Sequence, residues 1–401
     1  MVGSAAQDAS AIAPHGGPTA APVIAVVAGE ASGDNLGAAL ITALRARLPG
    51  VRIIGVAGPR MRAAGCEVLA DAEELAVMGL TEVLRHLPRL LTLRRRLTAR
   101  LTAVRPAVFV GIDAPEFNLG LAARLKAQGI RTVQYVSPQV WAWRQGRVRG
   151  IGEACDRILC LLPFEPPFYE RHGIAARFVG HPLADQFPMA PDRAAARSAL
   201  GLTDGETVVA VLPGSRMGEV TRLAAPFAGA AAWLSVRRPG VRFVAPMVNA
   251  AVRARFEALW SQAAPEVPVQ IVDGRSREVL AAADVVLVAS GTATLETLLS
   301  KRPMVVAYRL GALTAFLLQR LGLVKVQHFS QPNLLAGREV VPEFFQQAVT
   351  PEALGGALLA WLESPERVAP LQATFAEVHA QLRRGGADLA AEAVLGLLPP
   401  R

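Results

Sequence analysis

Lysine is almost missing from this chain. Of 42 Lys and Arg residues only Lys126, Lys301 and Lys325 are lysines, so the formal net charge of +9 is an arginine charge. Guanidinium forks suit phosphates and other anionic partners. Aromatic residues are also scarce, at 5%. A nucleic-acid binder of this size would interleave them with its basic groups, which excludes nucleic acid as the main partner. The charge then points to phosphorylated substrates or an anionic membrane surface. Cysteine is limited to Cys66, Cys155 and Cys160, an odd number without paired spacing, which excludes a disulfide framework and suits a reduced, cytoplasmic protein. No Lys or Arg precedes Arg45, and the uncharged run from Ala9 to Gly29 is broken by Pro14, Gly16, Gly17, Pro18 and Pro22. A secretion signal needs a basic start and a membrane span an unbroken apolar run. Neither is expected, and residues 1–21 read as a loose tail.

Missing motifs narrow the chemistry further. There is no HExxH, no DxD and no Cys/His cluster of ligand spacing, so no catalytic metal is called for. The first strand-to-helix turn lacks Gly-x-Gly-x-x-Gly, which argues against a nicotinamide dehydrogenase.

What is present is alternation. Apolar residues make up 52% of 401 residues, enough for two or three domains. Strand-like runs at Val23–Val27, Arg52–Val56, Ala107–Ile112, Thr132–Val136, Arg157–Leu161 and Arg177–Val179 are separated by helical patterns, the first helix spanning about Leu36–Arg47. Pro, Ala and Asp then take over around Pro182–Asp204. A second series follows at Val208–Leu212, Val241–Ala245, Val269–Val272, Val285–Val288 and Met304–Ala307. The expected fold is α/β: two Rossmann-like doubly wound parallel-sheet domains, residues 22–185 and 186–350, facing an interdomain cleft. Residues 351–401 read as helices that pack back across the domains.

Four loops carry candidate chemistry, each at the end of a strand. In Gly111–Asn118 (GIDAPEFN) Asp113 stands at a carboxyl edge, where open α/β sheets bind ligands; it either caps the helix starting near Phe117 or does chemistry. Ala289–Glu296 (ASGTATLE) offers Ser290 or Thr292 as a cap, Gly291 for close backbone approach, and Glu296 one turn beyond Thr292, an arrangement fit for a diphosphate and its ribose. In Leu212–Arg216 (LPGSR) Arg216 supplies a phosphate fork, with Glu219 readable as a helix-start charge. Gly29–Asp34 (GEASGD) brings Glu30, Ser32 and Asp34 to the mouth of the first strand, where helix capping accounts for Ser32 or Asp34 equally well. Asn333, in QPNLLAGRE, reads by itself as a turn former. Trp141 and Trp143 serve either core packing or a cleft wall.

Two segments speak of lipid. Between Val83 and Ile112 no acidic residue occurs, while Arg85, Arg89, Arg94, Arg95, Arg96, Arg100 and Arg105 alternate with leucines. Segment 83–105 is either a basic amphipathic helix for an anionic membrane or an ordinary surface helix with its leucines in the core. Leu310–Val324 is apolar enough for a groove wall and too short to span.

Taken in order, VAGEASGD, GVAGPRM, EELAVMGL, VGIDAPEFN, YVSPQVWAWR, GHPLAD, LPGSR, VNA, SGTATLE and PNLLAGRE resemble the lipid-A-disaccharide synthase family, from about Pro22 to about Leu382. The resemblance implies an inverting glycosyltransferase of GT-B type, with an N-terminal acceptor domain and a C-terminal UDP-sugar domain. Its substrates would be UDP-2,3-diacylglucosamine and 2,3-diacylglucosamine 1-phosphate, and its place the inner face of the bacterial inner membrane; the resemblance implies no cofactor, and a homodimer is left open. Asp113 matches the family's essential acid, and Glu30, Ser32 and Asp34 its first cleft motif. Arg216, Ser290, Gly291, Thr292, Glu296 and Asn333 match the UDP-sugar site. Glu116 stands where aspartate is usual, which puts a direct role for an acid there in doubt, and Gln331 replaces a common leucine. The alternatives are another UDP-N-acetylglucosamine-using enzyme of the same fold, such as a 2-epimerase or the muramyl-pentapeptide transferase, and a UDP-sugar binding protein without transfer activity.

Overall fold

A computed structural model describes residues 21–75, 80–141, 145–311 and 328–399, with side chains omitted for 80–86. All of the loose tail but Ala21, most of Leu310–Val324, and Trp143 fall outside the described residues. The first sheet contains β1 (Val23–Ala28), β2 (Arg52–Ala57), β3 (Cys66–Asp71), β4 (Val108–Ile112), β5 (Arg131–Tyr135), β6 (Arg157–Cys160) and β7 (Ala176–Phe178). They lie in the order β3-β2-β1-β4-β5-β6-β7, every pair parallel. The second sheet holds β8 (Val208–Leu212), β9 (Arg242–Met247), β10 (Val269–Asp273), β11 (Val285–Ala289), β12 (Met304–Tyr308) and β13 (Glu343–Phe345), in the order β10-β9-β8-β11-β12-β13 and again all parallel. These are two doubly wound sheets of the same order.

Parallel strands are covered on both faces, which is why β4, β8 and β11 are buried throughout and read as unbroken apolar runs. The two strands absent from the reading above are both edge strands. β3 has Glu67 and Val68 exposed beside buried Leu69 and Ala70, and β13 has three half-buried residues, so neither shows a continuous apolar run.

The order reverses between β1 and β4, and again between β8 and β11. At such a point the two outgoing connections run in opposite directions and leave a crevice at the carboxyl ends. In register, Ala28 pairs with Ile112 and Leu212 with Val288. Loop 29–34 therefore sits beside 113–118, and loop 213–216 beside 289–296.

Right-handed crossovers distribute the helices. Ala31–Arg47 and Pro59–Ala63 cover one face of β1–β3, with Leu40, Ile41, Leu44 and Met61 in its core. The opposite face takes Leu80–Val104, whose Leu93, Leu97 and Leu101 are buried against Val27, Ile54 and Val56. For these three leucines the surface-helix reading holds. Leu87, at 43% exposure, projects outward with Arg89, Arg95, Arg96 and Arg100.

Three helices follow the second sheet: Pro351–Glu363 packs on Met217–Arg237, and Pro365–Leu382 runs past Pro182–Gln186 and Thr292–Leu299. Gly386–Leu395 then buries Ala390, Ala391 and Val394 in a cluster with Val133, Tyr135 and Leu159 of the first sheet. Arg47 forms an ion pair with Asp388 at 2.5 Å, and the Arg157 guanidinium donates to the Ala393 carbonyl at 2.7 Å.

The first helix begins at Ala31, five residues before Leu36, so most of GEASGD is its opening turn rather than a free loop. That changes the reading of Asp34. It is 4% exposed and does not cap its own helix. Its Oδ1 accepts from the Gly58 and Met61 amides, each at 3.0 Å, and its Oδ2 from Arg60 at 2.9 Å. These are the orphan donors at the start of Pro59–Ala63. Both oxygens accept from amides of the fold itself, which gives Asp34 a structural role. Asp34→Ala should leave three amides without an acceptor and cost about 3 kcal/mol, read as a lower urea midpoint, with Asp34→Asn losing roughly half as much.

Candidate functional site

β4 ends at Ile112, and the next two residues turn sharply: Asp113 has φ +51° and Ala114 φ +40°. Neither is glycine, and a left-handed conformation costs such residues roughly 1–3 kcal/mol each. The helix that follows is Pro115–Lys126, with Ala114 as its N-cap and no side-chain cap; the Phe117 and Asn118 amides donate to the Ala114 carbonyl. Capping therefore fails as an account of Asp113. Pro115 fits at the first helical position, where its missing N–H is no loss.

The strained turn is held by its backbone. The Asp113 amide donates to the Tyr135 carbonyl at 2.9 Å, and its carbonyl accepts from Asn118 Nδ2 at 2.9 Å and Gln134 Nε2 at 3.0 Å. Asn118 is 0% and Gln134 1% exposed. Gly111 lets the helix close in, because a Cβ there would meet Asn118 Cβ at 2.7 Å. The Asp113 carboxylate is half-buried, and among the described residues nothing hydrogen-bonds it. Gln134 and Asn118 were not singled out from the sequence; their signal is an amide within an otherwise apolar strand (RTVQY) and another on a buried helix face.

Around Asp113, Glu30 is the exposed N-cap of Ala31–Arg47 and Ser32 lies in its exposed first turn. A Cβ at Gly29 would lie 3.3 Å from Ala114 Cβ, so the two loops touch. Glu116 is taken by Arg147 in a two-pronged pair at 2.5 and 2.9 Å, which ties the helix start to segment 145–147.

The second sheet opens on a cavity of about 740 Å³ that includes Gly214–Arg216 after β8 and Ser290–Ala293 with Glu296 after β11. Gly291, at φ +150°, is the N-cap of Thr292–Leu299 and has open space where a Cβ would stand. Ser290 Oγ donates to the Phe329 carbonyl at 3.3 Å, which fixes the cavity's aromatic side. Burial raises the Glu296 carboxyl above its usual range, while Arg277 pulls it back down. In the LPGSR loop Glu219 Oε2 accepts from the Ser215 and Arg216 amides at 3.2 and 3.3 Å. Those amides face inward, and the loop presents the exposed Arg216 side chain instead.

Asn333 acts as a turn former. It is 0% exposed, accepts from the Val340 and Val341 amides at 2.8 and 3.0 Å, and donates to the Val341 carbonyl at 2.9 Å. Its amide is used within the loop beneath the cavity and does not line it. The first domain contributes Gln139, Trp141 and Leu162 to the lining; Glu30, Ser32 and Asp113 lie outside it, at the carboxyl edge of their own sheet. A separate cavity of about 550 Å³ near Phe187, Pro188 and Ala195 contains none of these loops. Among the described residues no three His, Cys, Asp or Glu side chains are grouped to hold a metal ion.

The profile of the family described as Lipid-A-disaccharide synthetase matches residues 24–394. A lipid-A-disaccharide synthase of Alkalilimnicola ehrlichii is 58% identical over 375 residues, 93% of this chain and 97% of the other. One of Xylella fastidiosa is 51% identical over 382 residues, 95% and 99% of the two chains. Among solved structures, the glycosyltransferase of kitacinnamycin matches with a TM-score of 0.58 at 20% identity, covering 94% of this chain and 100% of that one. A UDP-GlcNAc 2-epimerase from Neisseria meningitidis bound to UDP-GlcNAc matches with a TM-score of 0.59 at 11% identity, covering 94% and 99%. At those identities the structures speak for the two-sheet fold alone, the GT-B architecture, whereas the sequence matches run through both sheets and every loop described above. The chain belongs to the lipid-A-disaccharide synthetase family.

Proposed function

We propose that this glycosyltransferase of lipid A biosynthesis joins UDP-2,3-diacylglucosamine to 2,3-diacylglucosamine 1-phosphate. The products are the β-1,6-linked disaccharide 1-phosphate and UDP. The observation that carries the chemical step is the Asp113 carboxylate, unpartnered among the described residues, on a strained turn whose Asp113 amide and carbonyl are both held. Strain of this kind persists where a side chain has to point at something.

In this reading the acceptor 6-hydroxyl oxygen attacks the anomeric carbon of the UDP-sugar from the face opposite the diphosphate. The new C–O bond forms as the bond to the diphosphate breaks, UDP departs with the electron pair, and the configuration inverts. The hydroxyl proton passes to the Asp113 carboxylate, or Asp113 orients the hydroxyl that loses it. Glu30 and Ser32 flank the acceptor. The amides of Gly291 and Thr292, at the start of an eight-residue helix, face the diphosphate. Arg216 supplies its cation, and Glu296 accepts from the ribose.

The acyl chains place the reaction at a membrane surface. No described helix is long and apolar enough to cross a membrane. The outward half of Leu80–Val104, with Leu87 exposed beside Arg89 and Arg95, supports docking on anionic lipid.

Asp113→Ala should lower disaccharide formation by about a thousandfold or more, followed by mass spectrometry of the lipid product, while the Kd for UDP stays within about twofold by calorimetry. Near-normal turnover would exclude Asp113 from the chemistry. Exchange of Arg89, Arg95 and Arg100 for glutamate should abolish co-sedimentation with phosphatidylglycerol vesicles at low salt and leave the melting temperature unchanged; unchanged co-sedimentation would exclude this helix as the docking surface.

A further inference from the structure

Two of the three first-domain residues lining the cavity hang from one carboxylate that does not itself line it. The three are Gln139, Trp141 and Leu162. Glu165, the first residue of the helix Glu165–Glu170, is 3% exposed. Its Oε1 accepts from the Trp141 indole N–H at 3.2 Å, and its Oε2 from the Leu162 amide at 3.0 Å. The Trp141 ring is also set edge-on against Phe164, with centroids 4.9 Å apart. Behind this pair, Ser137 Oγ and Tyr169 Oη lie 3.0 Å apart, and the Tyr169 hydroxyl reaches the Pro138 carbonyl at 3.1 Å.

We propose that Glu165 is a positioning residue for the transfer reaction: ionised, it fixes the indole of Trp141 and the backbone at Leu162 as the first-domain wall of the cavity, and protonated it lets that wall loosen. This rests on the reading of the cavity as the UDP-sugar site. Packing alone does not account for the residue, because a buried carboxylate is a costly way to fill space. Geometry says what it does. Both partners are N–H donors, so both oxygens must accept. A carboxylate meets that demand, whereas in a carboxylic acid the hydroxyl oxygen is a poor acceptor, and one of the two bonds is weakened or lost to the O–H.

The protonation change falls in a useful range. Burial raises the Glu165 carboxyl to about 7, against the opposing pull of the hydrogen bonds from Leu162, Ser137 and Trp141. The titratable groups that feel its charge are Tyr169 and Cys160, both pushed upward by burial and neutral at neutral pH; Glu170 closes the same helix and also acts on Cys160. Among the described residues no cation enters its surroundings. The acid form dominates below the raised value, so the wall is loose at lower pH and set at higher pH.

The experiment compares wild type, Glu165→Gln and Glu165→Asp between about pH 6 and pH 8.5, a span centred on that titration. It follows kcat/KM for the UDP-sugar and, separately, tryptophan emission without any substrate. For wild type, kcat/KM should rise about tenfold as one hydrogen bond to a charged group is gained, with a midpoint near 7. Glu165→Gln, with one oxygen and one NH₂, should stay at the low plateau with no midpoint, and Glu165→Asp should restore a pH dependence. Wild-type emission should show a step over the same range that is absent from Glu165→Gln and from Trp141→Phe. A Glu165→Gln enzyme with wild-type rates and profile would overturn the proposal, and so would a wild-type emission that is flat through neutrality. Because emission needs no substrate, a wrong UDP-sugar assignment would silence the first measurement and leave the second decisive. The wild-type and Trp141→Phe pair decides equally well if Glu165→Gln does not fold.

Discussion

Everything in this molecule follows from strand order under one rule, that a connection between parallel neighbours is right-handed. Starting from β1, connections that run toward β3 put their helices on one face, and those that run from β4 toward β7 put theirs on the other. The reversal opens a crevice without any side chain having to create it. It also leaves half of each face without a local helix. Leu80–Val104 covers one of those halves through Leu93, Leu97 and Leu101, and Gly386–Leu395, returning from beyond the second sheet, covers the other. Site and interdomain tie are thus two results of the same topology.

The crevice then has to be furnished, and the two sheets do so differently. The second uses backbone: a glycine cap and a helix start at Gly291–Thr292, with Glu296 one turn further in. The first uses strain, with two non-glycine residues in succession left-handed at Asp113 and Ala114. Gln134 and Asn118 over-determine that turn from below, each spending buried amide hydrogen bonds on the Asp113 carbonyl. A side chain aimed by a turn held from two neighbouring elements needs no partner of its own, and this one has none among the described residues.

Much of this was legible in sequence, for reasons specific to each element. Interior parallel strands such as β4, β8 and β11 announce themselves because both faces are buried, and each was placed within a residue or so. Edge strands β3 and β13 are interrupted by exposed or half-buried residues and left no continuous run. The position of Asp113 at a carboxyl edge was legible because an apolar run ends just before it and a proline follows. Asp34 and Asn333 could not be sorted the same way. Each sits in a loop of the right kind, but the partners that claim it, the amides of Gly58, Arg60 and Met61 in one case and the 340–341 backbone in the other, come from elements whose approach is not a local property. Glu165 is the reverse: nothing in PFEPPF marks it, and only the meeting of Trp141, Leu162 and that helix start gives it a task.

The returning helix Gly386–Leu395 has a consequence for how the protein is made. A ribosome delivers the chain from its N-terminus, and domains commonly fold as they emerge. Here the first sheet is fully synthesised long before the segment that completes one of its faces, so Val133, Tyr135 and Leu159 meet Ala390, Ala391 and Val394 only after the second sheet has been made. Until then a parallel sheet, slow to form because its pairings are non-local, carries an open apolar face. Until Gly386–Leu395 emerges, the N-terminal half is a nascent intermediate with an apolar face to shield, and its consolidation is timed by that helix.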